Sequence, residues 1–105
     1  MSAQVFERPQ AKIDFWSIVD HLASQSVSLA ERFIKGVEDS HTFLADFPIS
    51  GQLIEDDEIN LKNVRVCCVE GFRNYLIVFR ADVHRVEILR YTYASRDLIA
   101  LLQDS

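Results

Sequence analysis

The sequence predicts an α+β domain: an N-terminal antiparallel helical hairpin packed on a small antiparallel β-sheet, with a short C-terminal helix. The sheet is expected to be a three-stranded meander plus a short N-terminal strand. Three observations predict this class. Apolar residues recur at helical spacing through the first half of the chain. Three runs rich in β-branched and aromatic residues follow, separated by short turn signals. A leucine-rich stretch follows the last run. The 105 residues suit one domain, 1–105, and leave no room for a two-domain enzyme.

Gln4–Phe6 is short and mixed, as an edge strand is. Pro9 fits the first turn of a helix, where its missing N–H removes no hydrogen bond. Ala11, Phe15, Ile18 and Leu22 then follow at spacings of four, three and four. Ile13 and Trp16 widen that stripe, and Trp16 is expected in the core or facing the second helix. Ser24-Gln25-Ser26 is the break of the hairpin. Ser28 and Glu31 make a Ser-x-x-Glu capping box for the second helix. That helix carries Leu29, Ala30, Phe33, Ile34, Val37 and Leu44. Gly36 inside it costs about 1 kcal/mol against alanine, and close approach of the first helix is the expected compensation. His21 and His41 fall on helical positions that are solvated or half-buried by default.

Phe47-Pro48 ends the second helix, because the residue before proline is pushed out of the helical region. A loop is expected over 49–60. Glu55-Asp56-Asp57-Glu58 within it reads as a solvated charge run without the spacing of a calcium loop. Val64–Val69, Tyr75–Arg80 and Val86–Tyr91 then form the meander, turning at Glu70-Gly71 and over Ala81–His84. Ser95 can cap the last helix, with Asp97 in its first turn and Leu98, Ala100, Leu101 and Leu102 along it. In the middle strand Tyr75, Ile77 and Phe79 share one face, and Leu76 and Val78 share the other. Both faces are apolar, so both need cover. The hairpin covers one. The short last helix covers part of the other, which leaves an apolar, arginine-bearing strip for a partner.

Composition narrows the function classes. Hydrophobic residues make up 49% and charged residues 26%, a globular balance. The net charge of −5 does not suit a protein that grips nucleic acid by its phosphates. The sum hides a split. Residues 1–60 carry four basic and eleven acidic side chains, a balance of −7, and residues 61–105 carry seven and five, a balance of +2. Cys67 and Cys68 are adjacent, so one points inward and one outward, and they do not pair. With no signal peptide, the expectation is a reduced, cytoplasmic chain. No apolar run is long enough to span a bilayer. The scattered histidines and the lack of a C-x-x-C pattern leave neither a metal site nor a cofactor expected.

Four motifs now stand in register. Ala11-x-x-Asp14-Phe15-x-x-Ile18 opens the first helix, and Leu44-x-x-Phe47-Pro48-x-x-Gly51 closes the second. Asn74-Tyr75-Leu76-Ile77-Val78-Phe79-Arg80 precedes Val86-Glu87-Ile88-Leu89-Arg90. Ala94-Ser95-Arg96-Asp97-Leu98-x-x-Leu101-Leu102 ends the set. In this order they resemble the RelE/ParE toxin superfamily of type II toxin–antitoxin systems, on its ParE-like side, from Val5 to Leu102. The resemblance implies a helical hairpin on an antiparallel sheet. It implies a cognate ParD-like antitoxin that lays an extended, partly helical segment over the toxin in a hetero-oligomer. It implies DNA gyrase as the target, no contact with nucleic acid by the chain alone, and no membrane.

Two other functions are weighed beside it. A RelE-like member would cut mRNA on the ribosome, which requires a proton carrier and cations for the charge at phosphorus. Arg65, Arg80, Arg90 and Arg96 would be its cations, and Tyr91 or Tyr93 its proton carrier; Arg80, Arg96 and Tyr93 are the catalytic candidates on that reading. Leu76 stands where such nucleases carry arginine. The last helix lacks their tyrosine. Tyr93 also replaces a histidine found in many ParE-like relatives. The third function is an antitoxin-binding module without toxicity. Under the leading reading the contacts to antitoxin or target come from Arg65, Arg73, Arg80, Arg90, Tyr91, Tyr93 and Arg96. For Arg90 the competing role is a local salt bridge to Asp97 or Glu87.

Overall fold

The structure is a computed structural model that describes residues 2–56, 61–95 and 97–103. The elements run β1 (Gln4–Glu7), α1 (Pro9–Gln25), α2 (Val27–Asp46), β2 (Gln52–Asp56), β3 (Leu61–Val69), β4 (Phe72–Ala81), β5 (Arg85–Tyr93) and α3 (Leu98–Gln103). The α+β class, the hairpin, the meander and the short last helix stand as the sequence predicts.

The hairpin turns on one residue. Ser26 is extended, its N–H bonds to Leu22 O at 2.9 Å to close α1, and its Oγ accepts from Leu29 N at 3.2 Å to open α2. The expected capping box at Ser28 is therefore displaced by two residues. Ser28 lies inside α2, and Ser26 satisfies the free N–H groups instead.

The strands form a five-stranded sheet in the order β1-β5-β4-β3-β2. The antiparallel meander β3-β4-β5 is joined by two strands at its edges. β1 lies parallel to β5, from Gln4 opposite Arg85 to Glu7 opposite Ile88, so the sheet is mixed rather than wholly antiparallel. β2 pairs antiparallel with β3 and occupies part of the expected 49–60 loop. Glu55 and Asp56 thus belong to a strand, and 57–60 fall outside the described residues. The physical reason is that β3 runs back from Leu61 beside them and offers its free edge to Gln52–Ile54.

Most of the core lies between the hairpin and one sheet face. Ala11, Val19, Leu22, Phe33, Val37 and Leu44 pack there on Val69, Ile77, Phe79, Val86, Ile88 and Tyr91. Gly36 is buried in that layer. A Cβ on it would overlap Glu70 O, with Val69 Cγ1 only 3.2 Å away. The close neighbour is thus the β3–β4 turn and not α1. Ser40 fastens the same place: its Oγ donates to Gly36 O at 2.8 Å and accepts from Glu70 N at 2.9 Å.

On the second sheet face Val64, Val78 and Leu89 are covered by Leu98, Ile99 and Leu102 of α3. The open strip expected on this face is correspondingly narrow. Among the exposed apolar groups are Ile13 (62%) and Trp16 (59%) on α1. Trp16 is therefore outside the core. Its ring packs edge-on against Phe15 at 5.0 Å and leaves its other side bare.

Candidate partner-binding groove

A groove of about 560 Å³ lies between α1, the end of β5 and α3. It exists because β1 accompanies β5 only as far as Ile88, while β5 continues to Tyr93. Beyond Ile88 that edge of β5 is bordered by α1.

The floor is built by Asp14. It projects from the flank of the apolar stripe of α1 and meets Arg90 in a bidentate pair, Nε to Oδ2 at 2.7 Å and Nη2 to Oδ1 at 3.0 Å. Both side chains are nearly buried, at 12% and 10% exposure. Asp14 Oδ2 also accepts from the backbone N–H of Tyr91 at 3.1 Å, taking the place of a strand partner. Arg90 Nη1 donates to Leu101 O at 3.2 Å, one of the carbonyls that the end of α3 leaves free. One ion pair thus joins α1, β5 and α3.

Behind it Tyr91 is buried against the hairpin. Its Oη donates to Glu7 Oε2 at 2.6 Å and lies 2.7 Å from His41 Nε2. The single phenolic proton goes to Glu7, so His41 donates from Nε2 to the phenol oxygen. Burial first, then the hydrogen bond to Glu7 and the nearby negative charges, holds the Tyr91 phenol far above its ordinary range. Burial lowers the pKa of His41, against the opposing charges of Glu7 and Glu38. At the rim Tyr75 and Tyr93 meet edge-to-face at 5.3 Å, and burial with the neighbouring Tyr93 raises the Tyr75 pKa. Ser17, Ile18 and His21 form the α1 wall.

Of the residues singled out from sequence, Arg90, Tyr91 and Tyr93 come together here. Arg90 pairs with Asp14 rather than with Asp97 or Glu87. Arg65 is half-buried elsewhere and donates from Nη1 to Ser50 O at 3.2 Å, which fastens the loop before β2. Arg73 is exposed at the start of β4. Arg80 lines a separate shallow cavity of about 260 Å³ with Asp82, Arg85 and Glu87. Arg96 falls outside the described residues. Sequence reasoning missed Glu7, Asp14, Ser17, His21 and Tyr75 as parts of one site. Only Asp14 left a signal, as a carboxylate beside the buried stripe of an amphipathic helix.

These groups suit binding. The guanidinium on the floor is saturated by a carboxylate and a carbonyl, and the inner phenol is held protonated. The rim offers aromatic faces, hydroxyls and an imidazole. Among the described residues no three His, Cys, Asp or Glu side chains gather as a metal site, and no helix is long and apolar enough to cross a membrane.

Residues 5–98 match the family described as the ParE toxin of type II toxin-antitoxin system, parDE. Among solved structures the chain is similar to one titled "Chromosomal ParDE TA system from P. aeruginosa", with a TM-score of 0.71 and 18% identity over 90% of this chain and 98% of that one. No curated protein matches it.

Proposed function

Because the chain belongs to the ParE toxin family of type II toxin–antitoxin systems, we propose that it arrests growth by inhibiting DNA gyrase until a cognate antitoxin binds it. It acts in the cytoplasm, as a toxin–antitoxin hetero-oligomer when neutralised. The observation that carries this reading is the family match over 5–98, which takes in the hairpin, nearly all of the sheet and every groove residue but Leu101.

The groove geometry supports inhibition by binding. Arg90, which lines the groove with Tyr91 and Tyr93, is engaged by Asp14 and Leu101. Tyr91 keeps its proton, so it does not serve as a base. An acidic chain also suits a protein partner better than the ribosome's RNA. The test is induction without antitoxin, followed by topoisomer gels of a resident plasmid and supercoiling assays with purified gyrase. Loss of supercoiling with cleaved DNA, suppressed by the product of the adjacent reading frame, is expected. Growth arrest with normal supercoiling and codon-positioned cuts in transcripts would refute gyrase as the target.

A further inference from the structure

We propose that the groove beside the end of β5 binds a free purine nucleoside of the adenine type, read by the backbone edge of Tyr91 and Tyr93. Such a site is independent of gyrase as the target and gives the chain a small-molecule ligand.

Three observations carry it. First, β5 turns a short stretch of open edge into the groove. Backbone groups alternate sides along an antiparallel strand, and two contacts fix the phase here. Tyr91 N–H points to Asp14 on the α1 side, at 3.1 Å, and Ala94 N–H points the other way, to Asn74 O in β4, at 2.7 Å. Tyr91 C=O, Tyr93 N–H and Tyr93 C=O therefore face α1. β1 stops pairing at Ile88, so among the described residues no strand takes these groups. Thr92 Oγ1 reaches Tyr93 O only at 3.5 Å and leaves that oxygen a second lone pair.

This order of acceptor, donor and acceptor complements the amino edge of adenine. The exocyclic amino group donates to Tyr91 O, the adjacent ring nitrogen accepts from Tyr93 N–H, and the next ring C–H lies against Tyr93 O. A second amino group at that carbon, as in diaminopurine, would donate to Tyr93 O as well. Guanine presents the reverse polarity, so an oxygen would meet Tyr91 O and an N–H would meet Tyr93 N–H.

Second, the groove suits a flat ring. Its volume of about 560 Å³ falls in the range of small-ligand pockets. α1 and α3 cover opposite faces of the sheet, and Ile18 of the first and Leu101 of the second line the groove. A ring extending from the β5 edge enters between them, with Tyr93, 45% exposed, at the rim to stack on it. Third, the charge is balanced. Apart from His21, the titratable side chains other than tyrosine lining the groove are Asp14 and Arg90, and they pair with each other. A neutral nucleoside suits that floor, whereas a nucleoside phosphate meets a guanidinium already held by Asp14 and Leu101 O. The net charge of −5 likewise selects the free nucleoside over the same base in a nucleic-acid strand.

The experiment is calorimetric titration of the purified full-length chain with adenosine, diaminopurine riboside, guanosine and a short oligodeoxyadenylate, together with ¹⁵N–¹H spectra. Adenosine is expected to bind with a Kd of about 0.1–1 mM. Diaminopurine riboside should bind about 3- to 10-fold tighter, and guanosine at least about 10-fold more weakly than adenosine. The Tyr93 amide proton should move downfield on binding. Tyr93→Ala should weaken diaminopurine riboside about 10-fold by loss of stacking, and Ser17→Phe, at an exposed position on the α1 wall, should abolish binding; thermal melts check that both variants fold. The comparison of nucleosides on the wild-type chain needs no variant. Equal affinity for adenosine and guanosine, no nucleoside binding at about 5 mM, or a Tyr93 amide that stays in place while other signals move overturns the proposal. An oligodeoxyadenylate that binds more than about 10-fold tighter than adenosine assigns the groove to nucleic acid and equally overturns it. None of these outcomes decides gyrase inhibition, which the topoisomer gels test separately.

Discussion

Asp14→Ala is the sharpest test of how this fold is held. The change removes both hydrogen bonds to Arg90 and the acceptor for Tyr91 N–H. Arg90 keeps its bond to Leu101 O but loses the carboxylate that it grips with two hydrogen bonds, at a side chain only 10% exposed. Breaking one side of a buried pair costs about 3–5 kcal/mol, and the orphaned backbone N–H falls within that range. A domain this size has about 5–15 kcal/mol in all. With a urea slope of about 2 kcal/mol per molar, the midpoint should fall by roughly 1.5–2.5 M. Urea titration followed by far-UV circular dichroism measures it. Arg90→Met alone should cost a comparable amount by stranding Asp14. The double variant Asp14→Leu with Arg90→Met should be less destabilised than the two singles summed, because neither charge is then stranded. An Asp14→Ala midpoint within about 0.5 M of wild type would make this an ordinary surface pair and refute the reasoning.

Three further outcomes follow from the geometry. Gly36→Ala should destabilise by about 1–3 kcal/mol although alanine is the better helix former, because its Cβ meets backbone at Glu70 that cannot yield; a raised melting temperature would contradict this. Ser26→Ala should cost about 1 kcal/mol as the loss of an N-cap, and Ser28→Ala should be nearly neutral, compared by the same urea titration. His41 has a pKa below its ordinary 6.5, so the unfolded chain takes up the proton first and stability should fall as pH drops from about 7 to about 5. His41→Gln should flatten that part of the stability curve, and an NMR titration placing the His41 midpoint above 6.5 would count against the burial argument.

The parts legible in the sequence are those whose signal is local. The α1 and α2 stripes and the meander announce themselves through periodicity and composition within a dozen residues. What was not legible depends on partners distant in the chain. Gln52–Asp56 has two apolar residues among polar ones and becomes a strand only because β3 offers an edge. The direction of β1 is set by residues 85–88. The capping signal at Ser28 was complete as a pattern, yet the extended backbone at Ser26 claims the cap. Within the candidate groove Arg90, Tyr91 and Tyr93 were found by residue type. Asp14, which gives Arg90 its role, lies 76 residues away. Tryptophan is usually buried, so its residue type points to the core or to the second helix; here Trp16 lies outside the core, exposed at the wall of the cleft it shares with α2.

The parallel contact between β1 and β5 also sets an order of events during synthesis. Val5 pairs opposite Val86, so the first strand must wait for the last one to emerge. At about 5–20 residues per second that delay is on the order of 4–16 s. The helical hairpin emerges first, with Phe33, Val37 and Leu44, which in the finished domain pack on the sheet. A nascent chain interrupted before β5 therefore has neither the Asp14–Arg90 clasp nor a groove. It carries the hairpin and β2–β4 without the strand that joins β4 to β1. The residues of the groove therefore come together only once β5 has emerged and met α1, which makes the binding surface one of the last features of the domain to exist.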